Sequence, residues 1–133
     1  MLPYLKAARP SSFDVNLEVI LTTASGTKKV ISRSNFKNLY WTVPQQIAHH
    51  TITGCNLQVG DLLASGTISG KAPESFGSLL ELTWGGKNPI LLEDGTERAF
   101  LEDGDTLTIR GYAEKGGVRV DFGEVSNTVL PAK

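Results

Sequence analysis

The stretch Phe13-Asp14-Val15-Asn16-Leu17-Glu18-Val19-Ile20-Leu21 decides the fold class. Phe13, Val15, Leu17, Val19 and Leu21 fall on every second position. Successive strand side chains point to opposite faces, so this spacing predicts a β-strand over 13–21 with one face buried. Toward the N-terminus, Leu2-Pro3-Tyr4 and Arg9-Pro10-Ser11-Ser12 read as a loop leading straight into that strand. Toward the C-terminus, Ala24-Ser25-Gly26-Thr27 supplies turn chemistry, and Val30 and Ile31 lie in a return strand over 28–32, completing an antiparallel hairpin.

The period then changes. Thr42-Val43-Pro44-Gln45 has the form of a capping box with proline in the first turn, where its missing N–H does no harm. A helix is expected over 43–51, with Val43, Ile47 and Thr51 on one stripe and Gly54 able to take a left-handed stop. Beyond it the chain returns to short strands, expected at 62–64 and 79–84. One hairpin is expected about Asp94-Gly95, between strands at 89–92 and 98–101, and another about Lys115-Gly116-Gly117, between strands at 106–113 and 118–125. In the last strand Val118, Val120 and Phe122 share one side and Arg119 and Asp121 the other. The fold class is therefore mainly β, antiparallel, with one clear α-helix.

Composition narrows the function. A chain of 133 residues has room for one ordinary domain and not two. Thirteen Lys and Arg against fourteen Asp and Glu leave a net charge of -1, so no basic excess exists to neutralise nucleic-acid phosphates or anionic lipid. The single cysteine, Cys55, excludes an internal disulfide and favours a reducing, cytoplasmic setting. No run approaches the ~20 apolar residues of a membrane-spanning helix, and 1–6 lack the apolar core of a signal peptide.

Several stretches resemble chemical motifs and fail on spacing. Gly66 to Lys71 has three residues between its glycines where a phosphate-binding loop needs four, and Ala72 stands where that loop needs Ser or Thr. The same stretch has Ile68 where a nucleophile elbow needs serine. It reads as a tight inter-strand turn whose glycines would also let a ligand approach the backbone and the Thr67 hydroxyl. His49 and His50 are adjacent, so on a helix they diverge by about 100° and cannot share a metal as an i, i+4 pair does. A packed or capping role near the helix C-terminus is expected of them. Glu93-Asp94 and Glu102-Asp103-Gly104-Asp105 lack calcium-loop spacing and coincide with turn signals. Cys55 has no basic partner adjacent in sequence and reads as structural. Glu81, in Leu79-Leu80-Glu81-Leu82-Thr83-Trp84, is a lone carboxylate in an apolar run: solvent-facing by default, or, if buried, in need of a partner such as histidine.

Longer patterns carry a resemblance. Ser34-Asn35-Phe36-Lys37, Tyr40-Trp41-Thr42, Gln45-Gln46, His49-His50, Gly54-Cys55-Asn56-Leu57 and Gly60-Asp61-Leu62-Leu63-Ala64-Ser65-Gly66-Thr67-Ile68-Ser69-Gly70 closely resemble the fumarylacetoacetase family. So do Phe76-Gly77-Ser78, Leu80-Glu81-Leu82, Asp103-Gly104-Asp105, Gly111-Tyr112 and Val129-Leu130-Pro131-Ala132. The resemblance implies the C-terminal part of a mixed β-sandwich roll, with residues 1–133 an incomplete portion of the catalytic domain. It also implies a carbon–carbon hydrolase that splits 4-fumarylacetoacetate into fumarate and acetoacetate, the last step of tyrosine and phenylalanine breakdown. In such a family a divalent metal, Ca2+ or Mg2+, holds the diketo oxygens, a histidine activates water and a glutamate orients that histidine. By position Glu81 resembles that catalytic glutamate and Thr67 the substrate-binding threonine. The family's metal carboxylates, catalytic histidine, lysine and glutamine lie upstream of the matched region, so no metal ligand is expected here and neither His49 nor His50 fills the gap. The isolated chain is expected to be inactive; a homodimer is implied for the complete enzyme. The competing expectations are a free-standing, non-catalytic β-roll binding or assembly module derived from the family, and a generic ligand-binding β-sandwich.

Overall fold

A computed structural model describes residues 1–6 and 12–133; the expected loop at Arg9-Pro10-Ser11 lies outside the described residues. Among the described residues six strands and two α-helices follow in chain order: β1 (Asn16–Thr22), β2 (Lys28–Asn35), α1 (Val43–Thr51), α2 (Leu79–Leu82), β3 (Ile90–Leu91), β4 (Glu97–Arg98), β5 (Thr106–Lys115) and β6 (Val118–Thr128). Strands β2-β1-β5-β6 form one antiparallel sheet in that order, and β3 and β4 form a separate small hairpin. The architecture is mainly β with one clear longer helix, as expected.

Register gives the sheet two unlike faces. Val19, Ile109 and Val125 stand in one row across β1, β5 and β6, and Leu21 and Leu107 in the next. On the other face Glu18 accepts from Arg33 Nε (2.9 Å) and pairs with Arg110, while Thr108 and Ser126 hydroxyls meet at 2.8 Å. Alternation of apolar and polar side chains is what separates the faces, because the strand period is two. The first strand begins three residues later than its pattern predicts: Phe13 is exposed, and the Val15 carbonyl accepts the Phe36 amide (2.9 Å) where the chain turns away. At the β5–β6 turn Gly116 and Gly117 take φ +59° and +78°, the left-handed pair a two-residue hairpin requires.

Helix α1 has its predicted bounds. Gln45 Oε1 accepts the Thr42 amide (2.9 Å), the reach-back half of a capping box, and Gly54 at φ +86° turns the chain beyond the helix. The buried member of α1 is Gln45 and not the Val43 stripe; its Nε2 donates to the Leu5 carbonyl (2.8 Å) and ties the N-terminal turn to the helix.

Two expected strands are not strands. Residues 62–64 carry no regular structure. Residues 79–82 form the helical turn α2, and Thr83 and Trp84 close it. The cause is local: Ser78 Oγ accepts the Glu81 amide (3.3 Å) and donates to the Glu81 carboxylate (2.8 Å), a Ser-x-x-Glu cap. Helical spacing then puts Leu79 and Leu82 on one side, packed with Val19, Ile90, Leu101 and Leu107 on the core of Leu21, Ile31 and Leu92. Asp94 clips the layers together, accepting from the Thr27 hydroxyl (2.6 Å) and Ser25 (3.3 Å) of the β1–β2 turn.

Candidate functional site

Helix α2 sets the position of Glu81. With Leu79 and Leu82 turned inward, Glu81 projects outward beside Phe76, Leu80 and Trp84, which line an open hollow of about 320 Å3. Trp84 is exposed and holds φ +50°, a left-handed backbone that a bulky residue rarely adopts.

The glycine-rich segment meets this helix through Ser69. Its Oγ lies 3.0 and 2.8 Å from the two Glu81 carboxylate oxygens, and it accepts the Gly77 amide (3.0 Å). Close approach makes this possible. A Cβ at Gly77 would lie 2.7 Å from the Ile68 carbonyl oxygen and 2.8 Å from Thr67 Cγ2, so a side chain there would push the segment away. Gly70 is likewise packed on Ser75 and Asn38, and its amide donates to the Ser75 carbonyl (2.8 Å). The segment is therefore docked on the 73–78 turn and is not an inter-strand turn.

Thr67 and Glu81 thus come to one neighbourhood, joined through Ser69 and Gly77. Thr67 is exposed and its hydroxyl bonds to no other described residue. The Ser78 hydroxyl, then that of Ser69, with the Gly77 and Ser78 amides, hold the Glu81 carboxyl below its ordinary value, so the group is ionised at neutral pH. Both carboxylate oxygens meet hydroxyls, but each oxygen has two lone pairs and the residue is exposed, so the group can accept a further donor. Among the described residues no histidine reaches it. Tyr4 Oη meets His49 Nδ1 at 3.2 Å, and His50 Nε2 lies 3.5 Å from Cys55 Sγ. The adjacent histidines diverge as helical geometry requires, but both are exposed, so neither packs into a core. Cys55 is also exposed, with His50 beside it, which corrects its reading as a structural thiol without a basic neighbour; the helix end and the turn at Gly54 bring the two together.

Sequence reasoning missed Ser69 and Ser78. The signal for Ser78 was present in Ser78-Leu79-Leu80-Glu81, the capping-box spacing. Ser69 had none, because its partner is twelve residues away across a turn. The acidic stretches do sit at turns, as expected. Among the described residues no group of three or more His, Cys, Asp or Glu side chains could hold a metal ion. The described side chains therefore do not by themselves fit a divalent cation. No helix among the described residues is long and apolar enough to cross a membrane.

Residues 5–130 match the family described as fumarylacetoacetate (FAA) hydrolase C-terminal. The chain is 56% identical to the fumarylacetoacetase of Aspergillus fumigatus over 133 residues, covering 99% of this chain and 31% of that protein. It is 53% identical to that of Mus musculus, covering 98% and 32%, and 49% identical to that of Arabidopsis thaliana, covering 98% and 31%. The chain spans just under one third of the length of these relatives.

Proposed function

The chain belongs to the fumarylacetoacetate hydrolase family, and from that premise we propose that it is the portion of a fumarylacetoacetase that brings Glu81 and Thr67 to the hydrolysis of 4-fumarylacetoacetate into fumarate and acetoacetate. The observation that carries this reading is the Glu81 carboxylate, ionised, held by the Ser69 and Ser78 hydroxyls and still exposed. In that setting it accepts the N–H of a histidine supplied by polypeptide outside residues 1–133 and makes the far ring nitrogen a better base. That nitrogen takes a proton from water, the hydroxide adds to the fumaryl carbonyl, and the carbon–carbon bond breaks to leave fumarate. The departing acetoacetate carbanion takes up the proton held by the imidazolium, which returns the histidine to its neutral form. Thr67, exposed and two residues from Ser69, binds a substrate oxygen through its hydroxyl.

On this reading residues 1–133 are an incomplete part of the catalytic domain of a cytoplasmic homodimer. The Ca2+ or Mg2+ of the complete enzyme takes its ligands from residues outside this chain. Two measurements test the reading. The isolated chain, followed by loss of substrate ultraviolet absorbance with Mg2+ or Ca2+ added, gives no turnover; robust turnover would sink the proposal. In a chimera carrying these 133 residues in place of the matched segment of the Aspergillus fumigatus relative, Glu81→Ala lowers kcat much more than it raises KM. A raised KM with unchanged kcat would assign Glu81 to binding alone.

A further inference from the structure

Ser32 is a polar residue on the apolar face of the sheet. It pairs with Val19 across β1 and β2, and directly opposed residues share a face, the one that Val19 shares with Ile109 and Val125. Only 4% of Ser32 is exposed, and a buried hydroxyl needs a partner. It has one in the Phe76 carbonyl, to which its Oγ donates at 2.7 Å.

From that carbonyl a chain of hydrogen bonds runs to Glu81. The Phe76 carbonyl and the Gly77 N–H belong to one planar peptide group. The Gly77 N–H donates to Ser69 Oγ at 3.0 Å, which turns the single Ser69 hydroxyl hydrogen away from Gly77. That hydrogen goes to the Glu81 carboxylate, with Oγ 2.8 Å from Oε2 and 3.0 Å from Oε1. Every link, from Ser32 through the peptide and Ser69, donates toward the anion, and aligned bonds of this kind polarise one another. The chain also makes the two carboxylate oxygens unlike. Oε2 accepts Ser69 and Ser78 at 2.8 Å each, while among the described residues Oε1 takes only the longer Ser69 contact, which leaves Oε1 the better acceptor for a further donor. Glu81 is exposed on a helical turn of four residues, where its side chain would otherwise sample several rotamers.

We propose that Ser69 and the buried Ser32 are positioning residues for the hydrolysis: Ser32 fixes the Phe76–Gly77 peptide, that peptide orients the Ser69 hydroxyl, and Ser69 holds Glu81 with Oε1 turned to the incoming histidine. The inference rests on the catalytic reading of Glu81. It adds that a hydroxyl on the sheet acts on turnover through three successive hydrogen bonds, without touching substrate or histidine.

The test uses the chimera for turnover and the full 133-residue chain for titration. In the chimera Ser69→Ala lowers kcat about tenfold, the worth of one hydrogen bond to a charged group, with KM changed by less than about twofold. Ser32→Ala, one link further away, lowers kcat roughly two- to fourfold. The double variant is no slower than Ser69→Ala, because Ser32 acts only through Ser69; two independent structural roles would multiply. In the full chain, 13C NMR finds the Glu81 carboxyl titrating at higher pH in Ser69→Ala and, by less, in Ser32→Ala, since each loses a donor that favours the anion. Segment 67–70 and the turn at 76–78, which pack on Glu81, carry no titratable side chain, so the shift reads the hydroxyls. Should Ser32→Ala not fold, Ser32→Cys keeps the size with a weaker donor and takes its place. The proposal is overturned if Glu81→Ala lowers kcat and Ser69→Ala does not, or if the effects of the two serine substitutions multiply. If Glu81→Ala itself leaves kcat unchanged, the catalytic reading fails and the effect on turnover falls with it. The hydrogen-bond chain is then judged by the titration alone: an upward shift in both variants upholds it, and an unmoved carboxyl overturns it.

Discussion

Replacing Asp105 by asparagine probes the contact that fastens the β3–β4 hairpin to the sheet. Asp105 is fully buried. Its carboxylate accepts Arg98 Nε (2.9 Å), Arg98 Nη2 (3.3 Å) and the Glu102 amide (2.9 Å). Burial alone would push this carboxyl up; the Arg98 guanidinium and the Glu102 amide outweigh it and bring it below its ordinary value. Breaking a buried ion pair costs about 3–5 kcal/mol. Here Arg98 keeps a second partner in Glu102 at 3.2 Å and a little solvent access. The side-chain amide introduced by Asp105→Asn also still accepts one hydrogen bond, so a cost of about 2–3 kcal/mol is expected. For a chain of this length that lowers Tm by roughly 7–11 °C.

The sign of the pH dependence follows from the lowered carboxyl. Its contribution is fully present above the ordinary carboxylate range and is lost as pH falls through the folded-state value. Urea unfolding of parent and Asp105→Asn should therefore differ most near about pH 7 and converge in acid. A gap below about 0.5 kcal/mol at neutral pH, or one that does not narrow on acidification, would refute the account.

Gly77→Ala should cost about 1–3 kcal/mol by overpacking against Thr67 and Ile68, and hydrogen exchange over 66–70 should quicken; unchanged exchange would show that close approach does not hold the segment. Ser78→Ala removes the N-cap of α2 at about 1 kcal/mol and one hydroxyl from Glu81, so the Glu81 carboxyl should titrate at higher pH by NMR. Leu21→Ala, at a fully buried core position, should cost about 2–5 kcal/mol in chemical denaturation.

What residues 16–22, 43–51 and 106–128 become was legible along the chain, because alternation, a proline-bearing cap and paired glycines act over a few neighbours. The same local logic explains the misreading of Leu79-Leu80-Glu81-Leu82. Four apolar-flanked residues carry no decisive period, and the deciding bond is one serine hydroxyl on one amide. The resemblance to the family singled out Glu81 and Thr67 as residues 81 and 67 of the chain, before anything showed that the two lie near each other.

Their arrangement belongs to the tertiary structure. Ser69 meets Glu81 only because Gly70 and Gly77 let two backbones close on each other. Arg98 neutralises Asp105 only because the β3–β4 hairpin folds over the sheet. His50 and Cys55 meet because α1 ends where it does. Alternation along β5 and β6 shows which side chains share a face, but not whether that face is covered. Coverage depends on what packs there from distant parts of the polypeptide: near Leu21 that is α2, and at Ile109 and Phe122 no described residue closes the face.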